Sequence, residues 1–209
     1  MPRTPLPPPP PPPFLRTWPD RTALLADRQR ALELLRRRSL GIHRLLLLWL
    51  LALAAVIGWA LLVLPMQQVE ERDPLLFVVG PVCVVLGLAA IVPAVIGVVA
   101  GIRRDREIRA LLDAWLTLDS HPLTDAGLRA PGLSLCWLLS SFAVCALGLW
   151  TAFATAAGAG PGPAGYEVFL GMGTGMILWL TGMLGAAKAV RHYRWALRAL
   201  GTAAAPRHR

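Results

Sequence analysis

Glu167 and Lys188 come nearest to chemistry in this chain: an acid and an amine at opposite ends of one long apolar stretch. A carboxylate inside a membrane is a default candidate for a proton or cation site, because burying it is costly. Both residues lie at stretch ends, where their side chains can reach water or head groups. Glu167 therefore reads as an interface acid before it reads as an ion site. His43, His121, His192 and His208 stand at unrelated spacings, with no ligand pair of the HExxH kind. Asp119, Ser120 and His121 supply the residue types of a catalytic triad. As neighbours in one turn they cannot take nucleophile–base–orienter geometry, and turn formation accounts for them. Gly171, Gly173 and Gly175 share only letters with a phosphate-cradling loop, since no strand precedes them and the stretch is apolar. Cys83, Cys136 and Cys145 all lie in apolar stretches, which fits packing rather than disulfides or metal ligation. The hydroxyls of Ser140, Ser141, Thr151, Thr155, Thr174 and Thr181 could line a polar path, but in membrane helices they usually bond to their own backbone or to a neighbour. No catalytic residue, cofactor site or metal site is expected.

The elements that must position these groups are membrane-spanning. Of the 209 residues 56% are apolar, and they come in long blocks. Residues 75–102 carry no charge; as a helix they would run about 42 Å, against ~30 Å of bilayer hydrocarbon. Three further uncharged or nearly uncharged spans cover 45–64, 133–157 and 166–187. Pro65 is expected to close the first, and Pro93 to kink the second near Ala89. Small residues in the second span recur at steps of three and four: Gly80, Cys83, Gly87, Ala90, Ala94, Gly97 and Gly101. The fourth span has its own seam at Gly171, Gly175, Gly182 and Gly185, and the third one at Ser141, Cys145, Gly148, Ala152 and Thr155. Lipid gives helices no hydrophobic reason to associate, so close approach through small residues has to hold them. A seven-residue repeat predicts left-handed packing. The fold class is thus all-α: a small left-handed bundle of four transmembrane helices. The second and fourth spans are expected to form its centre, with Gly87 near Gly175. The Leu-rich first span is expected at the periphery, with Leu62 toward lipid.

Shifting the chain by 88 residues lays Leu47, Trp49, Leu50, Leu51, Ala55 and Val56 on Leu135, Trp137, Leu138, Leu139, Ala143 and Val144. It also lays Gly87 on Gly175 and Gly97 on Gly185. Either the chain holds two duplicated parallel hairpins, as some transporter folds do, or two unrelated hairpins share the same lipid constraints.

The flanks are polar. Residues 1–21 form a Pro-rich arm expected to be disordered; its run Pro7 to Pro13 is a polyproline II rod, either a ligand for an aromatic-lined groove or a spacer. Residues 22–44 read as a basic amphipathic helix whose apolar arc is broken by Arg28. Residues 103–132 begin as a second amphipathic helix, with Ile108, Leu111, Leu112, Trp115 and Leu116 on one face, set to lie against head groups or another cytosolic helix. Residues 188–209 form a basic tail. Arg36, Arg37, Arg38, Arg103, Arg104, Arg191 and Arg194 are placed to meet anionic lipid head groups.

Nine basic residues precede the first span, five lie in the central connection and six follow the fourth span; the other side holds only Arg72. Basic residues collect on the cytoplasmic side, so both termini are expected there. This distribution also assigns the charge of +9 to the bilayer and not to nucleic acid. Lys188 is the sole lysine and asparagine is absent, a codon bias pointing to a high-GC, bacterial genome and hence to a cell membrane. The function expected is that of a non-enzymatic complex subunit or regulator, with a membrane-protein partner or second copy and a cytosolic partner for the arm. A small transporter or channel component is the alternative.

Overall fold

The computed structural model describes residues 6–12, 14, 18–71, 76–118, 131–160 and 165–204, with the side chains at 36–40, 76, 131, 195, 196 and 198–204 outside that description. Five helices carry the described chain: α1 (Arg21–Leu40), α2 (Ile42–Glu71), α3 (Leu76–Leu116), α4 (Pro131–Gly158) and α5 (Tyr166–Ala204). No strand occurs among the described residues. Helices α2 to α5 are each long and apolar enough to cross a membrane, giving the architecture of a multi-pass membrane protein.

The spans pair as two antiparallel hairpins, α2 with α3 and α4 with α5, joined through α2 against α5. This corrects two expectations. The Leu-rich first span is not peripheral: α2 stands between α3 and α5 and touches both. Nor do the second and fourth spans form the central pair, because each seam is used up inside its own hairpin. Gly87 meets Gly58 and Leu62 of α2, so Leu62 packs on protein and not on lipid. Gly175 meets Gly148 and Ala152 of α4. Short connections favour sequential neighbours, and here they decide the pairing.

Pro65 does not end the first span. Helix α2 runs through it to Glu71, at the loss of one backbone hydrogen bond. The added turns carry Glu70 to the start of α5, where its Oε1 accepts from the Tyr166 amide at 2.9 Å. A carboxylate there satisfies an orphan donor and complements the positive helix end. Helix α3 likewise passes through Pro81 and Pro93 and continues well beyond the apolar stretch.

That continuation meets α1. Ala31, Leu32 and Leu35 of α1 are buried with Ile108, Leu112 and Trp115 of α3. Asp20 caps α1 by accepting from the Ala23 amide at 2.8 Å and the Thr22 hydroxyl at 2.7 Å. The Thr22 bond first, then the Ala23 bond, hold its carboxyl below the usual range. Arg28, which breaks the apolar arc in the sequence, is fully buried and donates from Nε to the Trp115 carbonyl at 3.3 Å. Trp115 lies in the last turn of α3, where carbonyls lack helical partners and attract cations. The same tryptophan donates from its indole to the Pro8 carbonyl at 3.3 Å, and Leu6 packs against the cluster. Residues 6–12 carry no helix or strand, and Leu6 and Pro8 of this stretch rest on the layer.

Candidate functional site

Gly58 and Gly87 cross with each other's carbonyl oxygen where a Cβ would stand: an added Cβ on either would lie 2.7 Å from the other's oxygen. Gly148 and Gly175 repeat the arrangement at 2.6 Å. Backbone thus rests on backbone in the middle of each hairpin. Along the α2–α3 hairpin from the crossing toward α1, the close contacts at the glycine positions run out. Leu51 fills the space beside Gly97, and a Cβ added at Gly101 would meet nothing within 4 Å among the described residues beyond its own helix turn.

A cavity of about 570 Å³ lies there, among the ends of α2, α3, α4 and α5. Its deep wall is apolar, formed by Leu47, Leu48, Leu51, Gly97, Val98 and Leu184. Its mouth is cationic: Arg44, Arg104, Arg109, Lys188 and Arg191 line it with His43, against one carboxylate, Asp105. Asp105 is therefore shared. Its carboxylate bonds Arg44 through Oδ1 and Lys188 through Oδ2, the latter at 2.8 Å, and its backbone carbonyl accepts from Arg109 Nε at 3.0 Å. The Lys188 ammonium also stands 4.7 Å from the centroid of the Trp137 ring, a cation–π contact strengthened by the low exposure of the site. Trp137 is 1% exposed and closes the far wall with Leu45 and Ala189. The Arg104 Nε is buried without a hydrogen-bond partner among the described residues.

A second cavity of about 570 Å³ lies near the other end, lined by Trp59, Leu149, Phe169, Met172 and Met176 among others. It is almost wholly apolar. Trp59 fixes it by donating to the Phe169 carbonyl at 3.2 Å while its ring covers Gly173.

The expected site residues divide between these settings. Gly80, Cys83, Gly87 and Ala94 are buried, Ala90 and Gly97 half-buried, and Gly101 is exposed. In α5, Gly175, Gly182 and Gly185 are buried and Gly171 half-buried beneath Thr155. Among the expected head-group contacts, Arg104 and Arg191 line the cationic cavity, while Arg103 and Arg194 face outward. Arg36, Arg37 and Arg38 end α1 with side chains outside the described residues, as are Asp119, Ser120 and His121 altogether. Glu167 is exposed in the first turn of α5. The hydroxyls of Thr151, Thr155 and Thr181 bond to carbonyls four residues back in their own helices, at 2.8, 2.7 and 2.7 Å. Of the cysteines, Cys83 is buried and Cys136 exposed. Cys145 packs beside Gly182.

Sequence reasoning missed the Arg44–Asp105–Lys188 cluster. The signal was available: the three lie one residue before the first span, three after the second and one after the fourth, hence at one membrane level. Comparison with protein-family models, curated proteins and solved structures finds no match.

Proposed function

We propose that this chain is a non-catalytic, multi-pass protein of a bacterial cell membrane that works as a subunit or regulator of a membrane complex. The observation that carries the reading is the closed middle of both hairpins. Glycine backbones meet there, the spans carry no charged residue beyond Glu167 at the entry of the fourth, and the outer faces of α3 and α4 stay broadly apolar, with Val78, Val85, Phe142, Trp150 and Phe153 exposed. Such a bundle offers contact surface and no nucleophile set beside an acid or base at membrane depth. The basic end, with α1 laid on α3, belongs on the cytoplasmic side by the distribution of Arg and Lys, which puts both termini and the Pro-rich arm in the cytosol. The seams support left-handed packing, and the 88-residue correspondence supports an origin by duplication.

The cavity at the basic end favours a second reading, a small transporter with an inward-facing vestibule. Leu51 against Gly97 closes that cavity before the crossing, which weighs for the first. Blue-native electrophoresis of membranes solubilised from the source, with mass spectrometry of the band, tests the choice. A discrete complex with a stoichiometric second protein, lost when Phe142 and Phe153 are replaced by Ala, is the expected result. A lone chain that passes solute in liposomes would establish the transporter instead.

A further inference from the structure

We propose that the cavity at the basic end is a binding site for one anionic phospholipid, its phosphate at the cationic mouth and an acyl chain on the apolar wall. The site is charged beyond what its own carboxylate can neutralise: five cations line it with the single carboxylate of Asp105, a net charge of +4. Partly buried cations without counter-charge are costly, and a phosphate provides that charge with several acceptor oxygens. Arg104 is the most telling residue, because its Nε is buried and lacks an acceptor among the described residues. Asp105 holds Arg44 and Lys188 in place, so the mouth is preorganised.

The depth of the cavity distinguishes a lipid from a soluble anion. A free phosphate needs only the mouth, whereas the wall from Leu47 to Leu51 and Gly97 to Gly101 is apolar and runs into the bundle. Gly101, with nothing within 4 Å of where its Cβ would be, leaves a lateral gap beside exposed Leu47 through which an acyl chain can reach the bilayer. The volume lies within the usual range of small-ligand sites. Basic pockets between membrane helices at head-group level commonly take such lipids. The site depends on membrane insertion but not on whether the protein is a regulator or a transporter.

The test uses the full chain, delipidated in detergent and titrated with phosphatidylglycerol, with phosphatidylcholine of the same acyl chains, and with sodium phosphate. Native mass spectrometry reads retention and thermal unfolding reads stabilisation. Phosphatidylglycerol should be retained about ten-fold better than phosphatidylcholine and should raise Tm, with no rise from millimolar phosphate. Arg104→Gln should cut retention several-fold while leaving the Asp105 cluster intact, and Arg106→Gln, on the exposed side of α3, should not. Gly101→Leu enters open space, so it should fold normally and still lose retention, which separates occupancy from folding. Equal retention of the two lipids would overturn the proposal, as would wild-type retention in both Arg104→Gln and Gly101→Leu. A phosphate effect equal to that of the lipid would overturn it in favour of a soluble anion.

Discussion

The two hairpins begin alike and end differently. Each crosses at a pair of glycines, and the α3 and α5 members of those pairs, Gly87 and Gly175, are 88 residues apart. Toward the basic end the same shift carries Gly97 to Gly185 and Gly101 to Ala189. In the second hairpin both positions are filled: Gly185 lies under Ser141, and Ala189 is 3% exposed beside Trp137. In the first hairpin Leu51 reaches Gly97, but Gly101 faces open space. A small residue therefore packs closely only where its partner helix stays near. Where the partner leaves, the same residue becomes the wall of a cavity.

This difference explains what the sequence could and could not disclose. Length and freedom from charge made four spans legible, since a bilayer imposes both. The seams were legible as surfaces of close approach, because bulky residues surround them. Their partners were not. Gly87 and Gly175 share a register, which invites pairing them, but a register says nothing about which helix lies opposite. Pro65 misled for a related reason. Its cost as a helix breaker is local, while the gain from carrying Glu70 to the Tyr166 amide depends on a contact 96 residues away in sequence. Arg28 looked like a flaw in an amphipathic face because its acceptor, the Trp115 carbonyl, belongs to another helix. The cationic cavity stayed hidden for the same reason, being assembled from the ends of four helices.

The largest expected effect breaks the shared feature. Gly175→Leu would place a Cβ 2.6 Å from the Gly148 oxygen and 2.9 Å from the Ala152 nitrogen, both backbone atoms that cannot swing aside. Overpacking of side chains costs about 1–3 kcal/mol, and backbone contacts put this variant at or above the top of that range. Loss of the monodisperse peak on size exclusion is expected. Gly87→Leu should be nearly as severe, with somewhat more relief, since Leu62 is one of its neighbours and can rotate. If Gly87→Leu assembles normally, the two crossings are not equivalent.

A middle-sized effect separates the paired tryptophans. Trp137 is buried at 1% exposure under Lys188, whereas Trp49, its counterpart at the 88-residue shift, is only half-buried. Trp137→Ala should cost roughly 3 kcal/mol by the precedent of buried aromatics, and Trp49→Ala clearly less. Thermal unfolding in one detergent gives both. Comparable losses would mean that the first hairpin also closes at the basic end, leaving no asymmetry to explain. Disulfide trapping sharpens the same point: Leu51→Cys with Gly97→Cys should bridge within the first hairpin, and Gly87→Cys with Gly175→Cys should not.

The smallest effect is the most specific, because it predicts opposite signs at corresponding positions. Gly101→Ala adds a methyl that meets nothing in a helix interior, where Gly is worse than Ala by about 0.5–1 kcal/mol through the entropy of the unfolded chain. It should therefore stabilise, by an amount of that order. Ala189→Gly removes a methyl buried against Trp137 and Leu45 and incurs the same backbone penalty, so it should destabilise by about 1 kcal/mol or more. In a chain of this size these changes correspond to Tm shifts on the order of 2–4 °C, upward for Gly101→Ala and downward for Ala189→Gly. The two variants together cancel composition, since one methyl is moved from one hairpin to the other. Two downward shifts would show that Gly101 is packed in the folded protein, and the open end of the first hairpin would then be filled by protein rather than available to a ligand.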